Sequence, residues 1–173
     1  KPYPKTRAKT IYVSLGTVVH NEAFYRAVIE AFRDLPDYQV IIALGLSELS
    51  DWQGLPDHIE IQDRVDQMAV LAIADVFMTH CGMNSASEGL YHQVPLILCP
   101  QTPEQGAVAK RTAELGAGYW LKLMTPATIR HAVLTVLEEP HYRDAAGRVA
   151  KSFKASGGYQ EALAFMEQVA QNT

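Results

Sequence analysis

No stretch of this 173-residue chain approaches the ~20 consecutive apolar residues that a bilayer-spanning helix requires. The opening, Lys1 to Lys9, is basic and Pro-containing but has no apolar core, so it does not read as a signal peptide. It carries no initiator Met, and the expectation is a fragment or a processed chain whose first residues form a linker arm. Cysteine is scarce: Cys81 and Cys99 follow no CxxC pattern and make no metal site by themselves. Both sit among apolar neighbours, as buried free thiols do in a reducing, cytoplasmic setting, although a disulfide between them stays open. Fifteen basic against nineteen acidic residues give a net charge of −4 without any basic stripe, which excludes nucleic acid as the expected partner. An anionic ligand would have to be held by local dipoles and hydrogen bonds. No GxGxxG or GxxxxGK[ST] loop follows a strand, which argues against dinucleotide-dependent dehydrogenases and P-loop enzymes. No GxSxG elbow supports Ser85 and His80 as a nucleophile pair. Internal repeats and low-complexity segments are also missing.

What is present is the composition of an ordinary one-domain α/β protein, 48% hydrophobic and 20% charged. Short β-rich runs alternate with longer helical ones. Strands are expected at 10–15, 38–44, 59–62, 76–79, 96–99 and 119–121. Helices are expected after Asn21-Glu22, at 67–74, at 85–91, at 105–115 and from about 125 onward, with Pro140 and Gly157-Gly158 as breaks. Near-continuous apolar strands between helices predict a Rossmann-like parallel sheet with helices on both faces. Residues 1–9 read as an arm and 10–173 as one binding domain. Ligands of such sheets bind beyond the carboxyl ends of the strands. Four loops fall at that edge: 16–21, 62–67, 80–85 and 100–105.

The loop His80-Cys81-Gly82-Met83-Asn84-Ser85 joins a strand to a helix. Unpaired N–H groups at a helix start, reinforced by the dipole, attract anions. Gly82 lets a phosphate approach the backbone, Asn84 and Ser85 add side-chain donors, and His80 can donate to a phosphate oxygen in the right tautomer. Glu88, one turn on, can accept hydrogen bonds from two adjacent hydroxyls, as a ribose offers. Each residue also has a plain structural explanation: Asn84 and Ser85 as caps, His80 as a satisfied strand-end histidine. Gly16 and Thr17 after the first strand suit a diphosphate or an ordinary turn. Glu104 and Gln105 suit sugar hydroxyls or a helix start with a favourable acid.

Together, His80 to Ser85, Glu88, Val94-Pro95 and Pro100 to Gln105 resemble the signature of the UDP-glycosyltransferases. Tyr12 to Thr17, Ala113 to Gly118 and Gly157-Gly158-Tyr159 resemble flanking pieces of that family's C-terminal domain, most of all in the bacterial macrolide-type enzymes. The resemblance covers essentially the whole chain. It implies one half of a GT-B fold: the C-terminal, nucleotide-sugar-binding domain of a hexosyltransferase, with a UDP-sugar, glucose being the expected sugar, as donor substrate. Neither cofactor nor metal is implied, since the helix start and His80 would stabilise the leaving diphosphate. Carried over, His80, Gly82, Asn84, Ser85, Gly16 and Thr17 would hold the diphosphate. Glu88 would bind the ribose, and Glu104 and Gln105 the transferred sugar. Val65 would meet the base through its backbone, with Gln67 near the nucleoside.

Two departures bear on the base. Arg64 stands where the family usually has a stacking Trp, and Asp66 at its Pro position. A guanidinium also stacks on bases, but the choice between uridine and thymidine stays open. Gln93 replaces a Gly common before Val-Pro. The family's general base is a His on an N-terminal acceptor-binding domain, so no catalytic residue is expected here. Expected partners are that domain and a small lipophilic acceptor, and the chain alone is expected to transfer little. The alternatives are a separate donor-binding subunit that needs a membrane-associated partner, and a non-catalytic nucleotide-sugar-binding module.

Overall fold

A run of five buried residues places Lys9–Ser14 (β1) in the middle of a sheet, where apolar side chains are needed on both faces. The computed structural model describes residues 1–16, 21–49, 54–158, 160, 164, 167, 168 and 171. After β1 come α1 (Glu22–Phe32), β2 (Tyr38–Ala43), β3 (Ile59–Gln62), α2 (Gln67–Leu71), β4 (Val76–Thr79) and α3 (Met83–Tyr91). They are followed by β5 (Leu96–Leu98), α4 (Pro103–Glu114), β6 (Gly118–Trp120), α5 (Pro126–Glu138) and α6 (Pro140–Ala155). All strand pairings are parallel, in the order β3-β2-β1-β4-β5-β6. The Rossmann-like sheet with helices on both faces is therefore the observed fold.

Strand alternation sorts the core into two layers. Ile11, Val13 and Leu15 face α1 and α5, meeting Phe24, Val28, Phe32, Ile129 and Val133. Tyr12, Phe77 and Leu98 face the other way, toward Val70, Ala86, Leu90, Val108 and Val149 of α2, α3, α4 and α6. Each fully buried aliphatic or aromatic side chain contributes ~1.5–3 kcal/mol, so the sheet is fixed from both sides. Register then aligns the carboxyl ends: Ser14 pairs with Ala43 and with Thr79, and Thr79 with Leu98. The strand order reverses between β1 and β4, which opens a crevice above their ends.

The helix starts differ from the sequence expectation by two residues. α3 begins at Met83 with Gly82 as its cap, so Asn84 and Ser85 are inside the first turn and are not caps. α4 begins at Pro103, capped by Thr102, which puts Glu104 and Gln105 in its first turn. Helix α2 stops at Leu71 instead of continuing to residue 74. Pro140, read as a break, is also the first residue of α6, where its missing N–H costs nothing. The first nine residues are pinned to the domain: Tyr3 Oη donates to Glu60 Oε1, Lys5 pairs with Asp75 at 2.8 Å, and Thr6 N donates to Gln39 Oε1 at 3.1 Å. No helix among the described residues is long and apolar enough to cross a membrane.

Candidate functional site

The crevice above β1 and β4 is a cleft of about 770 Å³. Nine of the residues singled out from the sequence line it: Gly16, Arg64, Val65, Gln67, His80, Gly82, Asn84, Ser85 and Glu88. They come from three separate strand-to-helix loops, which the aligned strand ends bring together. Thr17 lies outside the described residues. Glu104 and Gln105 are not part of this lining.

The loop after β4 is built around a reversed residue. Cys81 adopts a left-handed φ of 68°, a conformation that costs an L-residue ~1–2 kcal/mol. Its backbone N–H donates to Thr79 Oγ1 at 3.2 Å, and its side chain is fully buried, which pushes the thiol pKa up to about 12. Cys99, on the neighbouring strand end, is a second buried free thiol. The reversal lays the His80 ring into a slot between two glycines. A Cβ on Gly16 would lie 2.6 Å from His80 Cε1, and one on Gly82 only 2.4 Å from His80 Nε2. Both glycines are thus required by the ring. Gly16 also needs its freedom of φ, at 74°.

His80 is 7% exposed, and its Nδ1 is buried without a hydrogen-bond partner among the described residues. Burial lowers its pKa from the ordinary histidine value, so the neutral imidazole is favoured. In that form one ring nitrogen donates and the other accepts. Beside it, α3 starts without any side-chain cap. Its first bond closes from Ala86 N to Gly82 O at 2.9 Å, and the N–H groups of Met83, Asn84 and Ser85 precede that bond. A neutral histidine and an uncapped helix start therefore adjoin in one cleft, where they can hold an anion by hydrogen bonds and the helix dipole without a net positive charge.

Farther along the cleft, Glu88 accepts from Gln67 Nε2, which also lies 3.4 Å from Ser85 Oγ. Gln67 opens α2, whose cap Asp66 accepts from Ala69 N at 3.2 Å. Asp66, which departs from the expected Pro, thus has a defined local role. Arg64 is exposed on the cleft wall next to the half-buried Val65.

The loop after β5 is organised differently. Thr102 Oγ1 accepts from Gln105 N at 3.2 Å, and Gln105 Oε1 accepts from Gln101 N at 2.8 Å. Glu104 is exposed at the same helix start. Sequence reading missed Tyr12, Ser14 and Glu167, which also line the cleft. Tyr12 and Ser14 have a recognisable signal, polar groups at alternate positions of an otherwise apolar strand. Glu167, near the far end of the chain, has none. Among the described residues, no group of three His, Cys, Asp or Glu side chains is placed to hold a metal ion.

A family model described as "Erythromycin biosynthesis protein CIII-like, C-terminal domain" matches residues 9–168. NDP-glycosyltransferase YjiC of Bacillus licheniformis is 40% identical over 154 residues, covering 87% of this chain and 39% of the relative. The oleandomycin glycosyltransferase of Streptomyces antibioticus is 31% identical, covering 95% of this chain and 39% of its own length. The chain thus spans about two fifths of these curated relatives. Among solved structures, CalG4, the calicheamicin glycosyltransferase, superposes with a TM-score of 0.83 at 29% identity, covering 99% of this chain and 46% of that one. The glycotransferase of kitacinnamycin gives a TM-score of 0.84 at 31% identity, with 98% and 45% covered.

Proposed function

The chain belongs to the family of erythromycin biosynthesis protein CIII-like C-terminal domains, the donor-binding halves of GT-B glycosyltransferases, and from that premise we propose that its cleft binds the nucleoside diphosphate of a UDP-sugar. One observation carries the reading. One cleft is lined by His80, by the uncapped start of α3 and, farther along the same helix, by Glu88. That order, anion grip and then a carboxylate, matches the order of diphosphate and ribose in a nucleotide.

In this reading the N–H groups of Met83, Asn84 and Ser85 take the phosphate oxygens, and Gly16 and Thr17 add to the diphosphate grip. His80, held neutral by burial, contributes a single donor. Most of the stabilisation of the departing diphosphate then comes from the helix start, whose dipoles are fixed before the reaction begins. Such a grip supplies what a metal cation would otherwise provide, and the reaction is read as metal-independent. Glu88 takes the ribose hydroxyls, Val65 the base through its backbone, and Arg64 stacks on the base. Glu104 and Gln105 would reach the sugar, glucose in the simplest case, from the neighbouring loop.

The acceptor hydroxyl, on a small lipophilic molecule, attacks the anomeric carbon from the side opposite the diphosphate, so configuration inverts. Its proton goes to a base on an N-terminal acceptor-binding domain. Residues 1–9 connect toward that domain, and 10–173 form the donor-binding unit, which by itself binds donor and transfers little. Two buried free thiols fit a reducing, cytoplasmic setting.

Calorimetric titration of the chain with UDP, UDP-glucose and NAD tests the reading. UDP should bind and NAD should not. His80→Ala and Glu88→Ala should each weaken UDP about ten- to a hundredfold, the worth of a hydrogen bond to a charged group. A folded chain that binds neither UDP nor UDP-glucose would contradict the proposal.

A further inference from the structure

Tyr12 is 1% exposed in β1, its ring stacked on Phe77 with centroids 4.6 Å apart and planes 14° apart. Packing of that kind needs the ring and not the hydroxyl. The hydroxyl nevertheless has a defined partner: it donates to Gln67 Oε1 at 2.9 Å. The other end of the same amide, Nε2, donates to Glu88 Oε2 and reaches Ser85 Oγ at 3.4 Å.

A primary amide has one accepting and one donating end, and a half-turn exchanges them. Here one orientation serves both neighbours. A carboxylate only accepts, so Glu88 requires Nε2, which turns Oε1 toward Tyr12, whose hydroxyl donates to it. A flipped amide would set Oε1 against the Glu88 carboxylate. Burial raises the Tyr12 pKa above the ordinary tyrosine value, against a hydrogen bond with Ser14 that lowers it and with a smaller push from the charge of Glu88, and the hydroxyl stays protonated, able to donate. The buried strand thus anchors one end of an amide two residues beyond Val65, and the other end of that amide holds a carboxylate on a different helix.

We infer that Tyr12 is a positioning residue that locks the Gln67 amide and, through it, the Glu88 carboxylate, so that the cleft selects a ribonucleotide over a 2′-deoxyribonucleotide. The inference rests on the proposed ribose-binding role of Glu88. Without the Tyr12 hydroxyl, the Gln67 side chain is held at one end only, and Glu88 moves with it away from the vicinal hydroxyls. A nucleotide lacking the 2′-hydroxyl does not use that grip fully, and its affinity is insensitive to the lock.

The test is a titration of the chain with UDP and 2′-deoxy-UDP in four forms: unsubstituted, Tyr12→Phe, Gln67→Ala and the double variant. The unsubstituted chain should prefer UDP about tenfold or more, and Tyr12→Phe should reduce that preference below about threefold. The change should fall on UDP alone, with the melting temperature nearly unchanged because the stacked ring remains. If Tyr12 acts through Gln67, the double variant should be no worse than Gln67→Ala, a non-additive cycle that a purely structural role would not give. An unchanged preference in Tyr12→Phe, or equal weakening of both nucleotides, overturns the inference and leaves the functional reading intact. Equal binding of the two nucleotides by the unsubstituted chain overturns the role of Glu88 and the inference together. No UDP binding by that chain overturns the functional reading itself.

Discussion

The two loops that leave β4 and β5 begin alike and end differently. Each runs from a buried strand into a helix at the same edge of the sheet. After β5, the helix start is closed from within: Thr102 caps Gln105 N, and Gln105 turns back to Gln101 N. After β4, no side chain caps the helix, a histidine nitrogen is buried without a partner among the described residues, and Cys81 holds a left-handed backbone. Unsatisfied polar groups and local strain are costly, and they persist where something else compensates them. The junction proposed to grip the diphosphate is thus the one left unfinished by the protein, while its neighbour, proposed to meet only the sugar, is closed by its own side chains.

The sharpest way to break this comparison is at glycine. Gly82→Ala should abolish most UDP binding, by more than about tenfold, because the new Cβ would sit 2.4 Å from His80 Nε2. Gly106→Ala, in the first turns of α4, meets nothing within 4 Å. It should leave UDP binding unchanged and raise stability by ~0.5–1 kcal/mol. Calorimetry and denaturant unfolding on the two variants give both answers.

A smaller effect is expected at the finished junction. Thr102→Ala should cost ~1 kcal/mol of unfolding free energy, the usual worth of a cap, with no change in the UDP dissociation constant. A large loss of UDP affinity there would show that the two junctions are not divided in this way.

The smallest effect is in pH. Burial lowers the His80 pKa in the folded state, so the unfolded chain binds the proton more readily. Stability from this group is therefore fully present above the unfolded value of about 6.5 and is lost as pH falls toward the folded value. His92 is shifted the same way, chiefly by burial, and contributes the same sign. His80→Asn should make the decline in unfolding free energy below pH 6.5 shallower without removing it. An unchanged slope would contradict the buried, neutral imidazole.

Much of the architecture was readable from the chain. The strands are short apolar runs that only a sheet covered on both faces can accommodate, so β1, β2, β3 and β4 fall within a residue or two of their expected limits. Asn21 does cap α1, accepting from Phe24 N at 3.0 Å. The helix starts were less readable. Polar Asn84 and Ser85 look like caps in a linear reading, but the reversal at Cys81 turns the chain earlier and gives that place to Gly82. The cause of both glycines was hidden for a similar reason. Gly16 and His80 are 64 positions apart, and only the pairing of β1 with β4 makes one ring the neighbour of both glycines. Tyr12 was passed over because it reads as core, which its ring is; its hydroxyl gains meaning only beside Gln67.

The division between the two junctions is tested most directly by amide chemical shifts. In a 15N-labelled chain titrated with UDP, the account predicts the largest changes at Met83, Asn84 and Ser85, with the amides of Glu104 and Gln105 moving little. Shifts concentrated at the start of α4, or none at the start of α3 under saturating UDP, would contradict it.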